Sequence, residues 1–232
     1  MKRSALIMAG GAGLRMGGEL PKQFALLAGK PVLMHTLERF HAFDPEMLLV
    51  LVLPEAQTEI WSHLCKMHSF MLPHKTVTGG RERFFSVQNG LQLIDGPGIV
   101  FIHDAVRPLV SMATLERCFT LAADKGNAVP VIPVSESVRF GDTVNNRSID
   151  RSQTWLVQTP QTFTIHAIKT AYTQDYEPRF TDDASVLEST GQKIWLTEGN
   201  RENIKLTWPT DMSLAEILLV NLNRGEDTTM GQ

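Results

Sequence analysis

The chain has 232 residues, of which 43% are hydrophobic and 20% are charged, and its formal net charge is −3. This length and composition allow a substantial buried core and predict one domain over residues 1–232. The slightly acidic charge argues against a general nucleic-acid binder, which needs a basic surface. The chain has two widely separated cysteines, and its N-terminal apolar run is too short for a signal peptide, so we expect a cytoplasmic protein. It has no apolar stretch long enough to span a membrane, so no membrane partner is expected.

Short apolar runs alternate with amphipathic stretches along the chain. Strands are predicted at residues 5–8, 47–53, 76–78, 99–102, 128–132 and 193–197. Helices are predicted at residues 31–40, 56–67, 84–93, 112–123 and 211–222. This alternation predicts an α/β fold with a mostly parallel sheet and helices on both faces, whose ligands collect at the carboxyl ends of the strands.

A glycine-rich segment follows the first predicted strand. It has four glycines within residues 10–17 and is accompanied by two cations, Arg15 and Lys22. The glycines expose backbone amides, while the cations add a planar fork of donors and a mobile charge, a combination that suits phosphates. The segment lacks the Gly-Lys-Ser/Thr of a P-loop and the third glycine of a dinucleotide fingerprint. A nucleotide is therefore the expected ligand, and an ordinary strand-to-helix turn is the alternative.

Two further motifs also follow predicted strands, which favours one shared site. Gly79 and Gly80 follow residues 76–78, and His103-Asp104 follows residues 99–102. At the edge of a parallel sheet, Asp104 can accept a sugar hydroxyl or help to hold a divalent cation. The alternative is that Asp104 caps the next turn and pairs with Arg107. We interpret His103 as structural.

Residues from about 134 to 152 interrupt the alternation of strands and helices. Two alternating stretches flank an Asn-rich turn, which predicts a protruding β-hairpin arm. An isolated hairpin is barely stable in water, so the arm needs a surface to pack against. A second copy of the chain is the simplest partner, and folding back on the same domain is the alternative. The tail from about residue 224 is expected to be disordered.

Together these segments resemble the 2-C-methyl-D-erythritol 4-phosphate cytidylyltransferase family. The motifs follow the order of the family from the N-terminus to about residue 208: the glycine loop with Arg15, Pro21-Lys22-Gln23, Gly79-Gly80-x-Glu82-Arg83-x-x-Ser86-Val87, His103-Asp104-Ala105-x-Arg107-Pro108, Gln158-Thr159-Pro160-Gln161, Thr181-Asp182-Asp183-Ala184-Ser185 and Asn203-Ile204-Lys205. The resemblance implies a Rossmann-like fold, a homodimer joined through the arm, and transfer of the cytidylyl group of CTP to a small polyol phosphate with release of pyrophosphate.

The resemblance also implies a role for each matching position. The catalytic cations are Arg15, Lys22 and Lys205. The nucleotide is expected to contact Ala9, Gly10, Gly11, Gly80, Arg81, Ser86 and Ala105. The polyol phosphate is expected to contact Asp104, Arg107, Ser137, Arg151, Thr159 and Thr181, with Arg151 reaching it from the partner subunit. Mg²⁺ or another divalent cation is expected, with Asp104 as a candidate ligand and otherwise held by the CTP phosphates.

Some positions depart from the family pattern or admit a second interpretation. Arg81 stands where an acidic residue is usual, so its side-chain contact with the nucleotide is in question. The segment beginning at Thr181 also has the pattern of a helix N-cap followed by an acidic first turn. A ribitol-5-phosphate cytidylyltransferase and a non-catalytic nucleotide-binding regulator are the alternative functions. Asp150-Arg151 and residues 181–185 favour methylerythritol phosphate, and retention of all three cations argues against a regulator.

Overall fold

The computed structural model describes residues 1–10 and 21–229, the last seven of them by their backbone alone. The strands are β1 (Arg3–Met8), β2 (Leu26–Leu27), β3 (Lys30–Pro31), β4 (Leu48–Leu53), β5 (Lys75–Thr78), β6 (Ile99–Asp104), β7 (Asn127–Pro133), β8 (Arg139–Gly141), β9 (Asn146–Ser148), β10 (Trp155–Val157), β11 (Gln161–Thr164) and β12 (Leu196–Glu198). The helices are α1 (Val32–Phe43), α2 (Thr58–Met67), α3 (Arg83–Leu91), α4 (Met112–Lys125), α5 (Ile165–Ala171), α6 (Asp183–Glu188) and α7 (Pro209–Thr229).

The main sheet contains eight of the described strands. Their order is β10-β7-β11-β6-β1-β4-β5, and β12 also pairs with β7. The pairs of β1 with β4 and β6, of β4 with β5 and of β12 with β7 are parallel. Strand β11 runs antiparallel to β6 and β7, and β10 runs antiparallel to β7. The predicted α/β fold with a mostly parallel sheet is confirmed, and β10 and β11 are reversed strands that the sequence patterns did not indicate.

Helices cover both faces of the sheet, so its central strands are apolar at successive positions. On one face, Ala5 and Ile7 pack in a cluster with Leu37 of α1 and Trp61 of α2. On the other face, Leu6 packs in a cluster that includes residues of α3 and α5. Because each strand buries both faces, its sequence is a continuous apolar run rather than an alternating one. These buried strands fix the positions of the loops at their carboxyl ends.

Local sequence signals set the ends of the helices. Ser111 accepts a hydrogen bond from the Thr114 backbone N–H and caps the start of α4, and Gly126 ends it with a φ of 92°. Side-chain N-caps of this kind satisfy backbone donors that the first turn leaves open, and glycine adopts positive φ without steric cost. Among the described residues, no helix is both long and apolar enough to cross a membrane.

The arm, residues 134–152, contains the hairpin formed by β8 and β9. Phe140 pairs with Arg147, and the Asp142 carboxylate accepts the backbone N–H groups of Val144 and Asn145 in the turn. Phe140 and Val144 are 63% and 84% exposed. The hairpin has therefore formed where it is predicted, with apolar side chains left at its surface. At the other end of the chain, α7 is helical to Thr229, and the disorder predicted for the tail stays a prediction.

Candidate active site

The candidate site lies at the carboxyl edge of the sheet, where β1 and β6 end side by side. Met8 is paired with Asp104, and the Ala105 backbone N–H donates to the Met8 carbonyl at 3.0 Å. Ala9 continues the other side of the ladder by donating its N–H to Val52 at 2.9 Å. The start of the glycine-rich segment and the His-Asp motif are thereby brought together, as the placement of both motifs after strands predicts.

Asp104 is the electrostatic centre of this edge. Lys205 Nζ lies 3.0 Å and Arg107 Nε lies 3.3 Å from Asp104 Oδ2. Burial of Asp104 opposes ionisation, but the charges of Lys205, Arg83 and Arg107 outweigh this effect and hold the pKa of the carboxyl well below its usual value. Asp104 is therefore a fixed negative charge that orients the cations around it.

The pairing of Arg107 with Asp104, which the sequence left open as an alternative, is present. Arg107 Nη1 also donates to the Asn203 carbonyl at 2.8 Å, which ties the loop after β6 to the segment that carries Lys205. Leu206 continues this connection by donating its backbone N–H to Val106 at 2.9 Å. These bonds hold Lys205 beside Asp104, although they join residues 96 or more positions apart in the sequence.

His103 has a structural role, as interpreted from the sequence. Its ring is fully buried, with Nε2 donating to the Arg107 carbonyl at 3.0 Å and Nδ1 accepting from the Thr159 hydroxyl at 3.1 Å. The same hydroxyl oxygen accepts the Asp104 backbone N–H at 3.1 Å. Burial lowers the pKa of His103 to about 4, which keeps the imidazole neutral in this chain of hydrogen bonds. Thr159 is thus engaged inside the protein, and its contact with substrate stays a prediction.

The loop between β5 and α3 forms the opposite wall of the site. The Gly80 backbone N–H donates to Ser86 Oγ at 2.9 Å, and this hydroxyl donates to the Glu82 carbonyl at 3.0 Å. A Cβ at Gly80 would collide with Phe85, including its carbonyl carbon at 3.1 Å. The close approach therefore requires glycine here, and it keeps the main chain of the loop open to a ligand.

Arg83 is a cation of this wall whose role the sequence reasoning missed. Its Nη1 and Nη2 atoms bind the two carboxylate oxygens of fully buried Asp183 at 2.7 and 2.6 Å. The Tyr172 hydroxyl donates to the same carboxylate at 2.6 Å. Burial alone would lower the pKa of Arg83, but the charge and hydrogen bonds of Asp183 raise it above its ordinary value. The pair joins α3 to the N-terminus of α6 across 100 positions, a separation that leaves no local sequence signal.

Asp182 and Ser185 form a capping box at the start of α6. The N-cap interpretation of the segment beginning at Thr181 is therefore confirmed, with Asp182 rather than Thr181 as the cap. Gln161 supports this turn by donating to Asp182 at 2.7 Å and accepting the Ala184 N–H at 2.8 Å. Thr181 itself is exposed, and its contact with substrate stays a prediction.

A cavity of about 340 Å³ opens between these segments. The described residues that line it are Met8, Ala9, Gly10, Lys22, Gln23, Gly80, Arg81, Glu82, Arg83, Ser86, Asp104, Val106 and Lys205. Four of these side chains are cationic and two are anionic, so the described lining favours an anionic ligand. Arg81, whose guanidinium lies 4.8 Å from the centre of the Phe85 ring, is one of the four.

The structure brings together only part of the residues expected from the sequence. Lys22 and Lys205 line the same cavity, together with five of the expected nucleotide contacts: Ala9, Gly10, Gly80, Arg81 and Ser86. Arg107 and Thr159 lie behind Asp104, and Ser137 and Arg151 are exposed on the arm. The Arg151 guanidinium donates to the Ser135 carbonyl at 2.7 Å. Gly11 and Arg15 lie outside the described residues.

Among the described residues, no cluster of three or more His, Cys, Asp or Glu side chains could hold a metal ion. Asp104 is the less exposed of the two carboxylates in the described cavity lining, and its ion pairs with Lys205 and Arg107 both use Oδ2. This arrangement fits a cation that takes one carboxylate oxygen and draws its other ligands from substrate phosphates and water, as Mg²⁺ commonly does.

Comparisons with known proteins identify what the chain is similar to. Residues 4–221 match a family model described as "IspD: 2-C-methyl-D-erythritol 4-phosphate cytidylyltransferase". The chain is 52% identical over 219 residues to the 2-C-methyl-D-erythritol 4-phosphate cytidylyltransferase of Bacteroides fragilis, covering 94% of this chain and 100% of the relative. It is 51% identical over 222 residues to that of Porphyromonas gingivalis, covering 95% and 99%.

A solved structure gives the same result at the level of the fold. The crystal structure of 2-C-methyl-D-erythritol 4-phosphate cytidylyltransferase from Thermus thermophilus superposes with a TM-score of 0.76 at 28% sequence identity. The match covers 94% of this chain and 98% of that one. The similarity therefore extends over nearly the whole chain rather than over a single motif.

Proposed function

The chain belongs to the 2-C-methyl-D-erythritol 4-phosphate cytidylyltransferase family, and we propose that it transfers the cytidylyl group of CTP to 2-C-methyl-D-erythritol 4-phosphate. The products are 4-diphosphocytidyl-2-C-methyl-D-erythritol and pyrophosphate. The observation that carries this function is the joint placement of Lys22, Lys205 and the Gly80 loop around one cavity, in a chain that matches the family over nearly its whole length.

The chemistry requires charge neutralisation more than proton transfer. The nucleophile is the phosphate of the polyol, whose second pKa of about 6 leaves it mostly dianionic at neutral pH. An oxygen of this phosphate forms a bond to the α-phosphorus of CTP as the bond to the pyrophosphate oxygen breaks. Because both reactants are anionic, positioning and fixed positive charge supply the catalysis, and no general base is needed.

The cations divide this work. Lys22 is proposed to neutralise the triphosphate and the leaving pyrophosphate, together with Arg15. Lys205 is proposed to neutralise the attacking phosphate and the α-phosphate, and its ion pair with Asp104 at 3.0 Å orients the ammonium group towards the cavity. The backbone of Ala9, Gly10 and Gly11 is proposed to contact the phosphates.

The base and ribose of CTP are proposed to lie along the other wall of the cavity. Gly80 and Ser86 would read cytosine through backbone groups that the hydroxyl of Ser86 fixes, and Ala105 would lie near the ribose. Arg81 is proposed to contribute its charge from the rim, where it also stacks on Phe85. The close approach of the Gly80 main chain to Phe85 leaves no room for a side chain at position 80, which supports contact of the base with the backbone there.

The second substrate is proposed to bind between Asp104 and the arm. Asp104 would accept a hydroxyl of the polyol, Arg107 would hold the loop, and Thr159 and Thr181 would add hydroxyl contacts. Ser137 and Arg151 are proposed to complete the site from the partner subunit. Support comes from the exposure of both residues on the arm, where they are accessible to a second chain.

Mg²⁺ or another divalent cation is proposed as the cofactor, held by CTP phosphates with Asp104 as its protein ligand. When bound, it would neutralise phosphate charge and help to orient the triphosphate. Asp104 suits this role because its low pKa keeps it ionised. Its ion pairs with Lys205 and Arg107 hold the carboxylate in place at the cavity wall.

A homodimer joined through the arm is proposed as the active form of this single nucleotidyltransferase domain. Apolar side chains exposed on the arm and on β10 support it: Phe140, Val144, Trp155, Leu156 and Val157. Mixing an Arg151→Ala chain with a Lys205→Ala chain should restore activity in heterodimers, because one of the two sites would then be intact. No recovery on mixing would refute shared sites. A cytoplasmic location is also proposed, since both cysteines are free thiols.

A pyrophosphate-release assay tests the activity directly. Purified protein with CTP and Mg²⁺ is expected to release pyrophosphate with methylerythritol phosphate and to react poorly with ribitol 5-phosphate. Faster release with ribitol 5-phosphate would show that methylerythritol phosphate is the wrong polyol substrate. Binding of CTP without turnover of either polyol would instead indicate a nucleotide-binding regulator.

A further inference from the structure

The side chain of Gln23 joins the two flanks of the glycine-rich segment. Gln23 is only 1% exposed, and its Nε2 atom donates to the Ala9 carbonyl at 2.9 Å. The second hydrogen of the same amide donates to Gln57 Oε1 at 2.5 Å. Both amide donors are thus used, one on the end of β1 and one on the short turn that follows β4.

The hydrogen bond from Gln23 to Ala9 joins two parts of the cavity wall. Ala9 and Gly10 line the cavity where β1 ends, and Lys22 lines it from the residue directly before Gln23. Lys22 and Gln23 lie in the turn Lys22–Phe24, which the Phe24 N–H closes by donating to Pro21 at 2.8 Å. A displacement of the Gln23 amide would therefore move Lys22 relative to the backbone of Ala9 and Gly10.

The far side of the turn is fixed independently. Phe24 is 1% exposed and stacks on Trp61 of α2, with ring centres 6.2 Å apart. This contact holds the turn against α2 but says nothing of its distance from β1. The hydrogen bond from Gln23 to Ala9 is the polar link between the turn and the end of β1, in addition to the apolar cluster that contains Phe24 and Ala9, and Gln57 fixes the rotation of the amide that makes it.

We propose that Gln23 and Gln57 are positioning residues that set Lys22 against the end of β1, where the triphosphate of CTP is proposed to bind. This inference rests on the proposed function. Only a side chain with two donors on one nitrogen can serve both acceptors, because a carboxylate would present oxygen to the Ala9 carbonyl and a thioether would leave that buried carbonyl without a partner. An error of about 1 Å in the position of a catalytic group can cost on the order of a hundredfold in rate.

The test compares Gln23→Met with Gln174→Met. Gln174 is a matched control because its Nε2 also donates to two acceptors, the carbonyls of Ala171 and Val186. It lies outside the described cavity lining. Gln23→Met is expected to lower kcat about ten- to a hundredfold and to weaken CTP binding in calorimetry, while the KM for the polyol phosphate changes little. Gln174→Met is expected to keep both kinetic constants. Equal kinetic losses in the two variants would overturn the inference.

A second variant covers the case in which Gln23→Met does not fold. Gln57→Ala removes only the acceptor that orients the amide, and it is expected to lower kcat by a smaller factor. In the double variant Gln23→Met with Gln57→Ala, the loss is expected to equal that of Gln23→Met alone, because the bridge is already absent. An unchanged kcat in Gln57→Ala, or losses that multiply, would overturn the inference.

The wild-type protein separates this inference from the proposed function. Wild-type turnover with unaffected variants means that the positioning role is wrong and the function stands. Calorimetry with CTP alone needs no polyol, so it reports on the bridge even if the second substrate has been assigned wrongly. A wild-type protein that does not bind CTP would overturn both.

Discussion

The sheet edge around Asp104 and the arm differ in how their polar and apolar groups are satisfied. At the sheet edge, His103, Thr159 and Asp104 are linked to one another by hydrogen bonds, and Asp104 is paired with two cations. On the arm, polar groups are bonded locally in the turn, whereas Phe140 and Val144 face outwards. The sheet edge therefore satisfies its polar groups within one chain, whereas the arm keeps apolar side chains at its surface, as the proposed dimer would require.

Stability should change most at the buried pair that Arg83 forms with Asp183, across the cavity from Asp104. Asp183→Ala leaves the Arg83 guanidinium without the buried carboxylate that pairs with it, and we expect the free energy of unfolding to fall by about 4 kcal/mol. Urea denaturation measures the change. Asp124→Ala, which breaks the exposed pair with Lys125, should change it by no more than about 0.5 kcal/mol.

If Asp183→Ala and Asp124→Ala had equal effects, the wall formed by Arg83 would not depend on its buried pair. The double variant Arg83→Leu with Asp183→Leu sharpens the test. It removes both charges together, so it should be less destabilised than Asp183→Ala.

Lys205→Ala should have the next largest effect, on rate. Removing this cation from beside Asp104 is expected to raise the barrier by about 3 kcal/mol, or on the order of a hundredfold in kcat/KM, by analogy with the loss of one preorganised oxyanion donor. Pyrophosphate release measures it, and Lys125→Ala on the surface is the control. A loss of less than about threefold would mean that Lys205 does not act on the reacting phosphates.

The pH dependence of stability should report on His103. Its pKa is lowered to about 4 by burial, against about 6.5 in the unfolded chain. The unfolded state therefore binds the proton first, and the stabilisation present above pH of about 6.5 is lost as the pH falls towards about 4, by up to about 3 kcal/mol. Unfolding free energies measured across this range should fall less steeply in His103→Gln.

His35 has a pKa lowered by burial too, so it contributes in the same direction. His35→Gln serves as the comparison that separates the two contributions. An unchanged slope in His103→Gln would show that the buried imidazole does not control the acid sensitivity of this edge.

The smallest effect on the folded chain is expected on the arm. Phe140→Ser with Val144→Ser replaces exposed side chains, so the free energy of unfolding of a single chain should change by no more than about 0.5 kcal/mol. Sedimentation should nevertheless show a shift from dimer to monomer, because apolar contact area with the partner is lost. A dimer that persists unchanged would place the partner surface elsewhere than the arm.

The fold could be predicted from the sequence wherever both faces of a strand are buried. Residues 5–8 and 99–102 are uninterrupted apolar runs, and β1 and β6 are the strands they become. Strand β11 has the polar sequence Gln-Thr-Phe-Thr, and it is buried because Gln161 bonds to Asp182 and Ala184, partners that appear only after folding. Helix α5 is seven residues long, too short for a clear helical period.

The candidate site was predictable where a motif follows a strand. Asp104 and Gly80 are of this kind. The pairing of Arg83 with Asp183 depends on a tertiary contact between distant segments, and the bridge made by Gln23 depends on Gln57, which lies in no motif quoted for the family. Sequence patterns identify residues that touch a ligand more readily than residues that hold other residues in place.

The route of the chain at β7 has a mechanical consequence. Strand β7 ends at Pro133 on the ligand edge, and the chain re-enters the sheet at Trp155, which pairs with Pro133. The root of the arm is therefore formed by two adjacent paired strands, β7 and β10. In the proposed dimer, a partner bound to the tip of the arm would pull on β10, which leads directly to Gln158 and Thr159, so the mode of assembly would be transmitted through the main chain to the residues behind Asp104.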